Sequence, residues 1–157
     1  MEMIKLTING KEVTGKKGDT ILTIAAQNGI EIPNLCYNKN LKIYGSCGLC
    51  VVEAENSPKL LRACATVAAD GMVIHTNTPR VRDARRINMH LLLSQHRSDC
   101  TACIRSGNCE LQTMARALNI HQQPYQQKLE RKPLSMEVPI VRDATKCIKC
   151  MRCVQVC

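Results

Sequence analysis

Eleven cysteines give this 157-residue sequence its most evident chemistry. They fall into three groups along the chain, and a histidine accompanies the second group. Cysteine thiolates bind soft metals and iron–sulfur clusters, whereas disulfides persist only in oxidising compartments. Nothing in the sequence resembles a signal peptide, so we expect a cytoplasmic protein whose cysteines bind metal.

The first group has four cysteines, separated by ten, two and thirteen residues. Its members are Cys36, Cys47, Cys50 and Cys64. Gly45 and Gly48 allow the backbone around the CxxC pair to fold closely around an inorganic core. Four irregularly spaced thiolates are typical of a [2Fe–2S] cluster, although plant-type ferredoxins have a shorter spacing before the CxxC pair. A structural zinc ion with four cysteine ligands is the alternative.

The second group combines one histidine with three cysteines, separated by three, two and five residues. Its members are His96, Cys100, Cys103 and Cys109. Three cysteines leave a [4Fe–4S] cluster one ligand short, and the imidazole of His96 stands where the fourth is needed. A zinc site with the same ligands, or an ordinary polar histidine, is the alternative. The other histidines, His75, His90 and His121, are expected to be surface or packing residues.

The third group has gaps of two, two and three residues, which is the bacterial ferredoxin pattern. Its members are Cys147, Cys150, Cys153 and Cys157. The first three are expected to hold part of one [4Fe–4S] cluster, whereas the fourth of such a run normally serves a different cluster. We therefore expect the natural sequence to continue beyond Cys157 with further ligands.

The strands and helices expected to position these groups indicate an α+β fold. Residues 1–78 read as a β-grasp unit: a strand over Met3–Ile8, a turn at Asn9-Gly10, a strand over 11–14, a helix over 21–28, and strands over 51–54 and 72–76. Asp19 or Thr20 is expected to cap the helix, which would bury Ile21, Leu22 and Ala25.

A second, helical unit is predicted over residues 79–121. Thr78-Pro79 is a typical helix start, and the helix is expected to end near Ser94. We expect arginines on its exposed face and apolar side chains on its buried face. The exposed set is Arg80, Arg82, Arg85 and Arg86, and the buried set is Val81, Ile87, Leu91 and Leu92. A further helix is predicted over 111–118, a connector over 122–140, and the first half of a ferredoxin-type domain over 141–157.

The net charge of +9 suggests an acidic partner, either nucleic acid or protein. A nucleic-acid partner is not expected, because three tyrosines are the only aromatic residues and no zinc-finger spacing occurs. No segment approaches the roughly 20 apolar residues that cross a bilayer, so no membrane span is expected. The sequence also lacks a GxGxxG motif and a P-loop, which places any nicotinamide or flavin site on another subunit.

Taken in order, the three groups resemble the N-terminal electron-transfer region of [FeFe] hydrogenases. The same region opens the large iron–sulfur subunit of NADH dehydrogenase (complex I) and some NAD-linked formate dehydrogenases. The resemblance covers essentially the whole chain, and residues 105–111 (RSGNCEL) are similar to the second cluster segment of that family.

The resemblance implies a ferredoxin-like β-grasp domain with a [2Fe–2S] cluster on the first group, then a small helical domain with a [4Fe–4S] cluster on His96 and its three cysteines. It implies a second [4Fe–4S] cluster on Cys147, Cys150 and Cys153, and a third that uses Cys157. The expected function is electron relay in a soluble multi-subunit oxidoreductase, with [FeFe] hydrogenase placed ahead of formate or NADH dehydrogenase. The expected partners are a flavin- and NAD(P)-binding iron–sulfur subunit, a catalytic subunit or domain, and ferredoxin. No catalytic residue is expected in this chain, and a zinc-binding structural module is the alternative of another class.

Overall fold

A computed structural model of the chain describes residues 2–125, 129 and 143–157. Nine strands and helices are found in these residues, with two short 3₁₀ turns at Cys100–Ala102 and Ala144–Lys146. In chain order they are β1 (Met3–Ile8), β2 (Lys11–Lys16), α1 (Ile21–Gln27), β3 (Val51–Ala54), β4 (Leu61–Arg62), β5 (Val73–His75), α2 (Pro79–Ser94), α3 (Glu110–Ala117) and α4 (Arg152–Val156).

The five strands form one mixed sheet in the order β2-β1-β5-β3-β4. The β1–β2 hairpin turns at Asn9 and Gly10, which both have positive φ (52° and 79°), as a tight hairpin turn requires. β1 pairs in parallel with β5, with Thr7 opposite Val73, whereas β3 pairs antiparallel with β5 and with β4. The predicted α+β arrangement is confirmed. The two-residue strand β4 was not predicted, because so short a segment has no periodicity to recognise.

Helix α1 covers one face of this sheet. The Thr20 hydroxyl accepts a hydrogen bond from the Thr23 N–H at 3.3 Å, which selects Thr20 as the cap from the two predicted candidates. The helix buries Ile21, Leu22 and Ala25, as predicted, and also Ile24. Gly15 on β2 makes room for Ile24, since a Cβ atom there would lie 2.4 Å from its side chain. These contacts make the core of the β-grasp unit.

Helix α2 starts and ends where the sequence predicts, with Thr78 as its cap and Pro79 as its first residue. Its two faces were predicted only in part: Val81 is buried and Arg80, Arg82 and Arg86 are exposed, as predicted, but Arg85, Ile87 and Leu91 were placed wrongly. Arg85 is buried, together with Val81 and Met89 at spacings of four residues, whereas Ile87 and Leu91 are about half exposed. The apolar pattern misplaced this face because it treats every arginine as a solvent-facing residue.

A second core cluster lies between the cysteine loops and the helices. Its buried members are Leu35, Cys36, Cys47, Leu49, Met89 and Leu111. Because they come from the 35–49 segment, α2 and α3, this cluster fixes the helical unit against the loop that carries the first cysteines. The predicted connector 122–140 lies mostly outside the described residues.

Candidate metal centres

The four cysteines of the first group converge at one buried site. Cys36 lies in the loop after α1, Cys47 and Cys50 flank the turn before β3, and Cys64 follows β4. Their exposed fractions are 8%, 6%, 1% and 1%, in chain order. The β-grasp unit therefore gathers all four thiols of the first group, which are far apart in sequence, into a site closed to solvent.

These thiols affect one another's pKa values mainly in two pairs, Cys36 with Cys47 and Cys50 with Cys64. The thiol of Cys47 lowers the pKa of Cys36 to about 5, burial opposes this shift, and the N–H groups of Cys47 and Ser46 and the Ser46 hydroxyl add to it. In the other pair the thiol of Cys64 lowers the pKa of Cys50 to about 7. The donating thiols Cys47 and Cys64 have raised pKa values because each gives its proton to its partner and is buried. The lowered pKa values of Cys36 and Cys50 favour the thiolate, which is the form that binds metal.

Two pairs fit a two-iron cluster better than a single ion. A [2Fe–2S] cluster held by four cysteines takes two thiolates on each iron, whereas zinc takes four equivalent ligands in one tetrahedron. The donor set of the first group therefore fits the predicted [2Fe–2S] cluster.

Helix α2 closes the turn between Cys47 and Cys50 from outside. Asn88 donates from Nδ2 to the Gly48 carbonyl at 2.7 Å. Gly48 has a φ of 65°, and a Cβ atom there would lie 2.7 Å from Asn88 Nδ2, so this position requires glycine. The predicted role of Gly48 in a close turn is consistent with this contact, whereas Asn88 carried no sequence signal.

The second group lies in the segment between α2 and α3. His96 follows the end of α2, Cys100 begins a 3₁₀ turn, and Cys109 caps α3. Cys100 is exposed, and Cys103 and Cys109 are half-buried. These side chains lie along one segment, but among the described residues they form no group of three or more that could hold a metal ion, and they are more exposed than the cysteines of the first group.

His96 has the properties of a neutral metal ligand. Its Nδ1 is buried and has no hydrogen-bond partner among the described residues. Burial, followed by the nearby charge of Lys146, lowers the pKa of His96, so the imidazole is neutral at physiological pH. A neutral ring with an unused nitrogen is compatible with the fourth-ligand role, but His90 also has a buried Nδ1 without a partner, so this feature does not single out His96. By contrast, His75 contacts Glu55 and His121 contacts Asn119, consistent with surface roles.

Ion pairs and hydrogen bonds join the second group to the third. The Arg97 N–H donates to the Thr145 carbonyl at 2.8 Å, and Lys146 Nζ donates to the Arg97 carbonyl at 2.8 Å. Lys146 also pairs with Asp99, and Arg97 pairs with Asp99 at 3.1 Å. The hydrogen bond from Lys146, helped by Arg97, lowers the pKa of Asp99 to about 2.

The third group lies against the loop of the first. Cys147 and Cys150 are half-buried, and Cys153 and Cys157 are exposed. Between Cys150 and Cys153, the Arg152 guanidinium donates from Nη2 to the carbonyls of Leu35 (2.6 Å) and Tyr37 (3.0 Å). Its Nε donates to the Cys36 carbonyl at 3.4 Å. Sequence reasoning missed this contact, because no local pattern links residues more than a hundred positions apart.

Comparison with known proteins defines the class of this chain. Residues 1–79 match the family model described as a 2Fe-2S iron-sulfur cluster binding domain, and the chain belongs to this family. Residues 85–124 match the NADH-ubiquinone oxidoreductase-G iron-sulfur binding region. The chain thus carries a [2Fe–2S] domain and a [4Fe–4S] region, as predicted.

Two curated relatives and one solved structure are similar to almost the whole chain. It is 40% identical over 158 residues to an NADH-quinone oxidoreductase subunit of Rhizobium meliloti, a match that covers 99% of this chain and 18% of the relative. It is 43% identical over 166 residues to the NADP-reducing hydrogenase subunit HndD of Solidesulfovibrio fructosivorans, covering 100% of this chain and 28% of the relative. A crystal structure of an NAD+-reducing [NiFe]-hydrogenase in the H2-reduced state aligns with a TM-score of 0.88 and 28% identity, covering 96% of this chain and 64% of that one.

These matches confirm the resemblance to the shared N-terminal iron–sulfur region of NADH dehydrogenases and hydrogenases. The chain spans less than a third of the length of either curated relative. Among its described residues, no helix is both long and apolar enough to cross a membrane.

Proposed function

We propose that this chain is the electron-relay region of a multi-subunit oxidoreductase that uses NAD(P). It would pass single electrons between a flavin, nicotinamide or ferredoxin site on a partner and a catalytic centre outside these residues. The observation that carries the proposal is the buried first site, where four thiols form two pairs within a [2Fe–2S] family domain. When bound, an iron–sulfur cluster accepts and releases one electron at a time.

The ligands we propose are those predicted from the sequence. The first group would hold the [2Fe–2S] cluster, with Cys36 and Cys47 as one pair and Cys50 and Cys64 as the other. His96, Cys100, Cys103 and Cys109 would hold a [4Fe–4S] cluster. Cys147, Cys150 and Cys153 would serve another [4Fe–4S] cluster, and Cys157 a further one.

Direct contacts between the three groups support a relay rather than three independent sites. Arg152 ties the third group to the loop of Cys36, and Lys146 ties it to the segment that follows His96. Electron transfer requires that the distance between sites stays short and fixed. These hydrogen bonds hold the segments that carry the ligands in one arrangement.

The second part of the proposal concerns which kind of oxidoreductase contains this chain. The relatives include an NADH dehydrogenase subunit and an NADP-reducing hydrogenase subunit, and they do not single out the [FeFe] hydrogenase placed first from the sequence. We therefore propose an NADH dehydrogenase or an NAD(P)-linked hydrogenase, with [FeFe] hydrogenase as the narrower candidate within the second class and an NAD-linked formate dehydrogenase as the alternative. The partners would be a flavin- and NAD(P)-binding subunit and a catalytic subunit. The thiols of the first group are not disulfide-bonded, which is consistent with a cytoplasmic location.

Anaerobic purification of the chain tests the relay. We expect bound iron and acid-labile sulfide, visible absorption that bleaches on reduction by dithionite, and an EPR signal from the reduced [2Fe–2S] cluster. A Cys64→Ser variant should lose that signal, whereas Ser57→Ala, after β3 and not a proposed ligand, should retain it. A colourless protein loaded with zinc would overturn the proposal in favour of a structural zinc module.

The parent enzyme is tested on the native complex that contains this chain. NADH, hydrogen and formate are each added to the oxidised complex, and reduction of its clusters is followed by EPR. Reduction by NADH alone would favour an NADH dehydrogenase, and reduction by both NADH and hydrogen an NAD-linked hydrogenase. Formate-driven reduction would contradict both of these assignments.

A further inference from the structure

Helix α2 contains a buried cation with no carboxylate partner. Arg85 is only 5% exposed. Its Nη2 donates to the Val51 carbonyl at 2.8 Å, and its Nε is buried without a hydrogen-bond partner. No ion pair is formed by this guanidinium within the part of the chain that the structure describes.

A buried charge without a counter-charge destabilises a fold, so its presence calls for an anion nearby. Val51, which accepts from Arg85, directly follows Cys50. Burial lowers the pKa of Arg85, and the negative charge of the Cys50 thiolate opposes that shift. The anion that acts on Arg85 is therefore the thiolate of Cys50.

We propose that Arg85 is a positioning residue whose fixed positive charge raises the reduction potential of the [2Fe–2S] cluster in the first site. The proposal rests on the function proposed above, because it needs the first group to hold that cluster. Reduction adds one negative charge to a site that four thiolates already make negative. A cation held nearby at low dielectric stabilises the reduced form more than the oxidised form, which raises the potential.

A purely structural role for Arg85 makes a different prediction. The hydrogen bond to the Val51 carbonyl joins α2 to β3 and needs only a neutral donor. If this contact were the whole role, glutamine would replace arginine with little effect on the cluster. The buried Nε has no hydrogen-bond partner among the described residues, so the contact with Val51 does not account for the whole guanidinium.

Three variants separate the charge from the hydrogen bond. Arg85→Lys keeps the charge, Arg85→Gln keeps a donor without the charge, and Arg86→Gln removes a charge from the neighbouring, exposed position of the same helix. The potential of the [2Fe–2S] cluster is measured by EPR-monitored redox titration of the whole chain. For Arg85→Gln we expect the ratio of reduced to oxidised cluster at a fixed potential to fall about tenfold, equal to about 59 mV for a one-electron couple. Arg85→Lys should shift the potential much less, and Arg86→Gln should match the wild type.

Each outcome decides the matter. A wild-type potential in Arg85→Gln, or equal shifts in Arg85→Gln and Arg86→Gln, would overturn the role of Arg85 and leave the relay intact. If Arg85→Gln binds no iron while Arg85→Lys does, the charge acts in assembly of the site rather than on the potential, and the proposal fails. If both Arg85 variants lose iron and Arg86→Gln does not, packing explains the residue and the proposal fails. A wild-type chain without iron would refute the relay itself.

Discussion

The first and second cysteine groups occupy two very different settings in one chain. The first group is enclosed by a five-stranded sheet, α1 and α2, and its four thiols are buried and affect one another's pKa values in two pairs. The second group lies in a segment with one 3₁₀ turn, and its first cysteine is exposed. The protein scaffold alone therefore builds one site and leaves the other to be completed by what binds there.

This difference follows from the apolar core around each group. The sheet domain buries sixteen residues in one cluster, among them Cys50 and Cys64, so burial of apolar surface fixes the positions of the ligands. The segment around Cys100 contributes no buried residue, and Ile104 is fully exposed. Where the chain lacks its own core, metal–ligand bonds must supply the free energy that orders it.

Removal of iron should therefore affect the two regions unequally, and this is the largest effect we expect. After anaerobic chelation, amides between residues 96 and 109 should exchange as in an unfolded chain, whereas protection in β1 should change by less than about tenfold. Hydrogen–deuterium exchange with mass spectrometry measures both regions in one sample. Equal loss of protection in both regions would refute the contrast between them.

The ligand role of His96 can be isolated by two substitutions. His96→Ala should weaken iron retention in the second site roughly 100-fold, since loss of even an outer-shell partner costs 10–100-fold at metal sites. His96→Cys should retain a [4Fe–4S] cluster but lower its potential, because a thiolate makes the cluster more negative than an imidazole does. Iron content and EPR-monitored titration report these effects, and His121→Ala serves as the matched control. Unchanged EPR spectra and potentials in both His96 variants would show that His96 is not a ligand.

The same contrast explains what the sequence could predict. Spacing identifies ligand types because the chemistry of a cluster limits which residues bind it, and the Asn9-Gly10 turn and the Thr78-Pro79 helix start are local signals that proved correct. Arg85 was misplaced because a buried charge is stabilised by its surroundings, which the periodicity of one helix does not contain. Arg152 was missed because its partners lie in a loop that is distant in sequence.

The hydrogen bonds from Arg152 to the loop of Cys36 can be removed to test how firmly the third group is held against the first. We expect Arg152→Gln to weaken their association by about 1.5–3 kcal/mol, the usual contribution of hydrogen bonds from a charged donor. The change should appear as faster exchange of amides in α4 and in residues 35–37, with the β1–β2 hairpin unaffected. Arg86→Gln, which removes a charge elsewhere, should leave both regions as in the wild type.

Loss of the α1 cap gives the smallest effect and tests whether the first site depends on its scaffold. Thr20→Ala should lower the free energy of unfolding by about 1 kcal/mol, whereas Thr20→Ser keeps the hydroxyl and should be nearly neutral. Iron content should be unchanged in both variants, because the buried core rather than the cap positions the thiols. Denaturant unfolding of the sheet domain measures the change. Loss of iron in Thr20→Ala alone would show that the ligands depend on this helix end.

The parallel pairing of β1 with β5 has a consequence for biogenesis. Thr7 pairs with Val73, and all four cysteines of the first group lie between these positions. During synthesis the ribosome must release β5 before the sheet can close around them. Until then the four thiols of the first group are exposed to solvent on the nascent chain. The order of translation therefore sets the earliest moment at which iron delivery can succeed.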